Sequence, residues 1–246
     1  MKVLGLIPAR KGSKGIFNKN IIDLGGHPLL AWSIKACQKS LNISKVVVST
    51  DSNEYASIAK AYGADVPFLR PNEISQDNSS DYEFVKHAID FFENLGETYD
   101  LIAHIRPTSP LREDNVIDNA IETFNKLSIS YTSLRSIHEM SESAYKCFEL
   151  AEGDSLKPIG LPRSIKIDSN APRQVFPKTF FANGYVDILR VNHVKRSLEL
   201  HGDHIYGFRT MPISELDVPG DLDFIRYECE KFNMVDKMFG VLDGPF

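Results

Sequence analysis

A chain of 246 residues with a net charge of −5 has room for one α/β domain with an insert, and it has no electrostatic reason to grip nucleic acid along an extended surface. Its composition, 42% hydrophobic and 25% charged, provides for a sizeable core, and no apolar run reaches the ~20 residues a membrane helix needs. Cys37, Cys147 and Cys229 are odd in number and far apart, which suits neither a disulfide framework nor a metal site and points to a reduced, cytoplasmic setting.

In chain order, Val3–Ile7 reads as a strand, too short for the apolar region of a signal peptide and followed at once by charged residues. Leu30, Ile34, Cys37 and Leu41 recur at helical spacing, and Lys45–Ser49, with three consecutive valines, reads as a strand buried on both faces. Asp51 with Glu54, and Ser80 with Glu83, fit capping boxes that open two further helices, the first running to Tyr62. Leu101–Ile105 reads as a strand, Val116 through Phe124 as a helical face, and Ser130–Leu134 as another strand. Such alternation implies a Rossmann-like, mostly parallel sheet with helices on both faces. After Arg135 the pattern breaks. Residues from about Ser136 to Ala182 are rich in Pro, Ser and charge, and we expect an insertion of short strands and loops within a single domain spanning 1–246. Strands at Val186–Leu189 and Ile205–Phe208 and a last helix marked by Leu222, Ile225, Cys229 and Phe232 follow.

The densest chemistry follows the first strand: Pro8-Ala9-Arg10-Lys11-Gly12-Ser13-Lys14-Gly15, then Asn18-Lys19-Asn20. Ligands of open α/β sheets bind beyond the carboxyl ends of the strands. Glycines there let backbone approach an anion, and Arg10, Lys14 and Lys19 supply charge for a triphosphate. The loop is neither a Walker A motif nor Gly-x-Gly-x-x-Gly. Read blandly, it is a solvated basic loop.

At these residues the chain resembles the acylneuraminate cytidylyltransferases (CMP-sialic acid synthetases), whose opening is close to I-P-A-R-x-G-S-K-G-I-x-x-K-N. The resemblance continues through Ser49-Thr50-Asp51, Leu69-Arg70-Pro71, Asp77-Asn78-Ser79-Ser80, Pro107-Thr108-Ser109-Pro110-Leu111-Arg112, Pro172-Arg173-Gln174 and Asn183-Gly184, in the same order. It implies transfer of CMP from CTP to the anomeric hydroxyl of an acidic nine-carbon sugar, with release of pyrophosphate. It places Arg10, Gly12, Ser13, Lys14 and Lys19 at the phosphates and Asn20, Arg70, Asn78 and Ser80 around the nucleoside. On the sugar side it puts Arg106, Arg173, Gln174, Asn183 and Asp187, with Arg163 and Lys166 as further contributors. The family's late Asp-x-Asp stands here as Glu215-Leu216-Asp217, the implied Mg²⁺ ligands, with Asp217 expected to matter more. Arg10, Lys19 and Asp217 are the implied catalytic residues, and the insertion is the implied homodimerisation arm reaching over the partner's sugar pocket.

Four departures fall on the sugar and metal side. Arg106 stands where the family often has Gln, Phe181-Ala182 where it often has Arg-Pro, Asp187 where a Tyr is expected, and Glu215 where it has Asp. They favour a sialic-acid-like nonulosonic acid of legionaminic or pseudaminic type as readily as sialic acid itself. Arg106 offers a bidentate partner for the sugar carboxylate. Blander readings stand beside these: Ser80 as a plain helix cap, Arg70 as a surface ion pair, Asp221 as a cap of the last helix, His104 as a core or edge residue. Thr108 and Ser109 lack a base partner and do not read as nucleophiles. The competing functions are another sugar nucleotidyltransferase such as a CMP-KDO synthetase, and a non-catalytic nucleotide-binding protein.

Overall fold

The computed structural model describes residues 1–12, 15–159 and 170–240. Val3–Pro8 forms β1, Asp23–Leu24 and His27–Pro28 form the small hairpin β2–β3, and α1 covers Leu29–Lys39. Then come β4 (Lys45–Ser49), α2 (Asn53–Ala61), α3 (Asp81–Asn94), β5 (Leu101–His104), α4 (Val116–Lys126) and β6 (Ser133–Glu139). A hairpin of β7 (Phe148–Leu150) and β8 (Leu156–Pro158) precedes β9 (Phe180–Arg190), α5 (Val191–Arg196), β10 (Ile205–Arg209), α6 (Pro219–Lys231) and α7 (Met234–Phe239).

The main sheet has the order β10-β6-β9-β5-β1-β4, and β9 alone runs against the others. Alternation along β1 sorts its side chains to two faces. Val3 and Ile7 join a core with Trp32, Ile34, Tyr55, Phe124 and Ile225, beneath α1, α2, α4 and α6. Leu4 and Leu6 join Phe84, Val85, Ile89, Phe92 and Val194, beneath α3 and α5. Val47 and Val48 of β4 are buried on opposite faces, as their run suggests. Yet β4 is an edge strand, and its free side is closed by Asp65, whose carbonyl accepts from Val48 N–H at 2.9 Å and whose N–H donates to Val46 at 2.9 Å.

Several boundaries differ from the sequence expectation, each for a local reason. Leu41 is 94% exposed, outside α1, because the Asp118 carboxylate pins the turn through Ser40 Oγ (2.5 Å) and the Leu41 and Asn42 amides (3.0 and 3.1 Å). The cap of α2 is Ser52, accepting from Tyr55 N–H at 3.4 Å, because Asp51 is occupied by Lys11 N–H at 2.8 Å. Ser80 caps α3 as expected, with Glu83 accepting from its N–H at 2.6 Å. Asp221 accepts from the Asp217 and Val218 amides, both at 2.8 Å, where α6 begins. Strand β6 starts later than expected and continues to Glu139, while β9 begins at Phe180, so the described residues that leave the sheet here are 140–159 and 170–179, within narrower bounds at both ends than expected. Helices α5 and α7, only six residues each, were too short to announce themselves by periodicity.

Candidate active site

Five strands, β4, β1, β5, β6 and β10, deliver their carboxyl ends to one edge of the sheet, and antiparallel β9 delivers its amino end to the same edge. This topology gathers the basic loop after β1, the segment after β5, Asn183-Gly184 and the stretch after β10. A bulge sharpens the convergence. Arg135 pairs with Asp187 and Ile137 with Ala182, so Asn183 through Val186 bow out opposite Ser136 alone. Gly184 makes the turn at φ 63°. A Cβ there would lie 3.3 Å from Arg106 Cδ and 3.4 Å from Glu215 Oε1, so glycine keeps this corner open.

On the nucleotide side, Arg10 Nη1 donates to Asp77 Oδ1 at 2.9 Å, and Asn20 Nδ2 donates to the Arg10 carbonyl at 3.0 Å. Gly12 sits at φ 85°, a conformation that suits glycine. Lys19 Nζ donates to the Leu216 carbonyl (2.9 Å) and to Asp217 Oδ1 (3.2 Å), tying the loop to the late acidic stretch. The side chains of Arg10 and Lys19 are only 29% and 16% exposed, because these partners hold them against the protein. Arg70 is no surface ion pair either. It is buried, donates to Ser49 Oγ (3.0 Å) and the Ser49 carbonyl (2.7 Å), and stacks on Phe84, and burial pulls its pKa down to about 10. Asn78 and Ser80 are exposed where the chain enters α3. Ser13 and Lys14 lie outside the described residues.

The segment after β5 is a brace. Arg112 is 1% exposed and donates to the carbonyls of Tyr185 (2.8 Å) and Arg106 (2.7 Å) and to Ser33 Oγ (3.0 Å). Ser109, equally enclosed, contacts the Asn183 carbonyl at 3.4 Å, which leaves no room for a nucleophile's role. Thr108 Oγ1 donates to Glu215 Oε1 at 3.1 Å, and the Thr108 carbonyl accepts from Leu216 N–H at 2.8 Å. Burial raises the Glu215 carboxyl above its usual range, and the neighbouring Asp217 charge raises it further.

The sugar-side expectations fare differently. Arg106 is near the corner at Gly184, but its guanidinium is already shared: Nη1 donates to Asp187 Oδ2 at 2.7 Å and Nη2 to Asp81 Oδ2 at 2.8 Å. Asp187 has a side chain 0% exposed, so it holds Arg106 from beneath rather than facing a ligand. Burial opposes its ionisation, and the neighbouring groups together, Arg106 first and Arg135 among the others, outweigh it and keep the carboxyl below the ordinary range. Asn183 is buried too, donating to Thr210 Oγ1 at 2.9 Å. Arg173 and Gln174 are not brought to Arg106. They line a separate cavity of about 320 Å³ with Glu139, Phe176 and Lys178, where Arg173 donates to the Ser141 carbonyl at 2.6 Å. Arg163 and Lys166 lie outside the described residues. His104 is a core residue, packed edge-on to Phe84. Sequence reasoning missed Asp77, Asp81 and Thr108 as partners. Asp81, one residue past the cap, carries no signal except its place at the start of α3.

The fold is one that sugar nucleotidyltransferases share: the solved structure of a CMP:2-keto-3-deoxy-manno-octonic acid synthetase complexed with CTP superposes with TM-score 0.69 at 14% identity, covering 94% of this chain and 100% of that one. The chain belongs to the cytidylyltransferase family, whose profile matches residues 4–155. It is similar to the N-acylneuraminate cytidylyltransferase of Escherichia coli O18:K1:H7, 33% identical over 91% of this chain and 50% of that protein. It is also similar to a pseudaminic acid cytidylyltransferase of Campylobacter jejuni, 40% identical over 50% of this chain and 53% of that protein. The chain thus spans about half the length of these curated relatives.

Proposed function

We propose that the protein transfers CMP from CTP to the anomeric hydroxyl of a nonulosonic acid and releases pyrophosphate. One observation carries this reading most directly: Lys19 of the basic loop and the carboxylates of Glu215 and Asp217 meet at the sheet edge where this fold takes its ligands. In this reading the hydroxyl oxygen attacks the α-phosphorus in line, a new P–O bond forms, and the bond to the pyrophosphate oxygen breaks. Such transfer depends on positioning and charge neutralisation rather than on a covalent intermediate. Arg10 exchanges Asp77 for a phosphate, and Lys19 steadies the phosphates while held by Asp217. Asn20, Arg70, Asn78 and Ser80 cradle the nucleoside, with Gly12 clearing the backbone. Thr108 holds Glu215 toward the crevice, and the sugar enters beside Gly184.

A divalent metal suits the late acidic stretch. Glu215 and Asp217 repel one another, which a bound cation would relieve. No group of three acidic, histidine or cysteine ligands occurs among the described residues. That suits Mg²⁺, which takes one or two carboxylates and fills its shell with phosphate oxygens and water. When bound it would neutralise the departing pyrophosphate. The acceptor is a sialic, legionaminic or pseudaminic type of acid. The departures at Arg106, Phe181 and Asp187 lie on that side. The arm 140–179 would reach a partner's site in a homodimer. Its exposed Phe148, Leu150, Leu156 and Val175, at 39%, 70%, 62% and 53%, support that reading. The direct test is pyrophosphate release from CTP and Mg²⁺ with a panel of nonulosonic acids. No release with any member would refute the proposal.

A further inference from the structure

The two carboxylates on Arg106 are unlike one another. Asp187 is wholly enclosed and is itself approached by Arg135 Nε at 3.5 Å and His201 Nε2 at 3.9 Å. Asp81 has a side chain 43% exposed, at the first position of α3, and its carboxylate accepts from Arg106 Nη2 at 2.8 Å. The Arg106 backbone cannot drift, because its carbonyl accepts from Arg112 Nη2 at 2.7 Å and from Ser33 Oγ at 3.3 Å. One arm of the guanidinium is therefore anchored, and the other rests on a carboxylate that can move into water. The open corner at Gly184 lies against the Arg106 side chain.

We propose that Asp81 is a placeholder anion: it occupies Arg106 in the empty site and is displaced by the carboxylate of the acceptor sugar, while Asp187 is the positioning residue that keeps Arg106 in place for the exchange. This rests on the functional reading above and specifies how the acid group of that substrate is read. A buried pair is costly to break, whereas a half-exposed one is worth little, so exchange falls on the Asp81 side. The displaced Asp81 carboxylate regains water and stays at the start of α3, where negative charge is favourable. The acceptor's carboxylate takes over a donor already aimed, and Arg106 never has to be left unpaired.

The inference predicts opposite effects from two removals of negative charge. In pyrophosphate-release kinetics at saturating CTP, Asp81→Asn removes the internal competitor and lowers the acceptor KM about 2- to 5-fold, the share of a half-exposed ion pair. The KM for CTP stays unchanged. Asp187→Asn loosens Arg106 and raises the acceptor KM about 10-fold or more. General damage to the fold would raise KM in both variants, so a fall in one is a specific signature. The gain from Asp81→Asn must also vanish in the Arg106→Gln background, since a mere change of local field would survive there. Should Asp187→Asn fail to fold, the Asp81 and Arg106 variants carry the test alone. An acceptor KM that is unchanged or raised in Asp81→Asn, or a gain that persists without Arg106, overturns the inference and leaves the functional reading standing. A wild-type protein inert toward every nonulosonic acid overturns both.

Discussion

Lowering the pH from 7 to 5 should remove about 3 kcal/mol of stability, through two histidines that the fold keeps neutral. Burial pushes the pKa of His104 down to about 3, with Arg106 adding to the effect, and burial pushes His201 down to about 4. Unfolded, each would titrate near ~6.5. Between the folded and unfolded values the unfolded chain binds more protons, so stability is full above about pH 6.5 and is lost as pH falls through that window. At roughly 1.4 kcal/mol per pH unit, His104 costs about 2 kcal/mol at pH 5. His201 is partly exposed, so its share is discounted to about 1 kcal/mol. Asp187 adds nothing in this range, because its depressed carboxyl is ionised throughout. The assay is urea unfolding followed by circular dichroism at both pH values. Neither ring nitrogen of His104 has a hydrogen-bond partner among the described residues, so His104→Leu removes a buried polar group without leaving a new orphan. In that variant the loss between pH 7 and pH 5 should shrink to about 1 kcal/mol. Equal stability of the wild type at the two pH values, or an unchanged loss in His104→Leu, would refute the reasoning.

Arg10→Ala and Lys19→Ala should each slow pyrophosphate release by about 10²-fold, the cost of deleting one donor to developing charge, and turnover unchanged in both would remove the loop from the site. Asp217→Asn should abolish turnover at low Mg²⁺ and leave the circular-dichroism spectrum intact, whereas activity surviving excess EDTA would contradict a metal role. Isothermal calorimetry should show CTP binding and no comparable ATP binding; equal affinities would sink the pyrimidine assignment of Asn20, Arg70 and Ser80. Light scattering at micromolar concentration should report a dimer, and Leu150→Glu with Leu156→Glu should shift it to monomer. A monomeric wild type would rule out sites shared through the arm.

The sequence by itself determined the elements whose burial repeats with the period of a helix or strand. The strand before Pro8, the valine strand, the Ser80–Glu83 cap and the amphipathic face of α4 were all legible, because each depends on neighbours within a few residues. The basic loop was legible for the same reason: its glycines and cations are contiguous. Which groups those cations meet was not. Arg10 finds Asp77, Lys19 finds Asp217 and Arg106 finds both Asp81 and Asp187, partners 67, 198, 25 and 81 positions away. Periodicity reports which face of an element is buried and says nothing about what packs there. The direction of β9 was equally hidden, since apolar alternation reads the same up a sheet or down it. Only the assembled sheet turned that strand round and bowed out Asn183-Gly184. Only there did Asp187, which reads in sequence as a ligand on the sugar side, become the enclosed support of Arg106. A carboxylate's role follows from whether water or a guanidinium reaches it, and that depends on residues brought together by the fold.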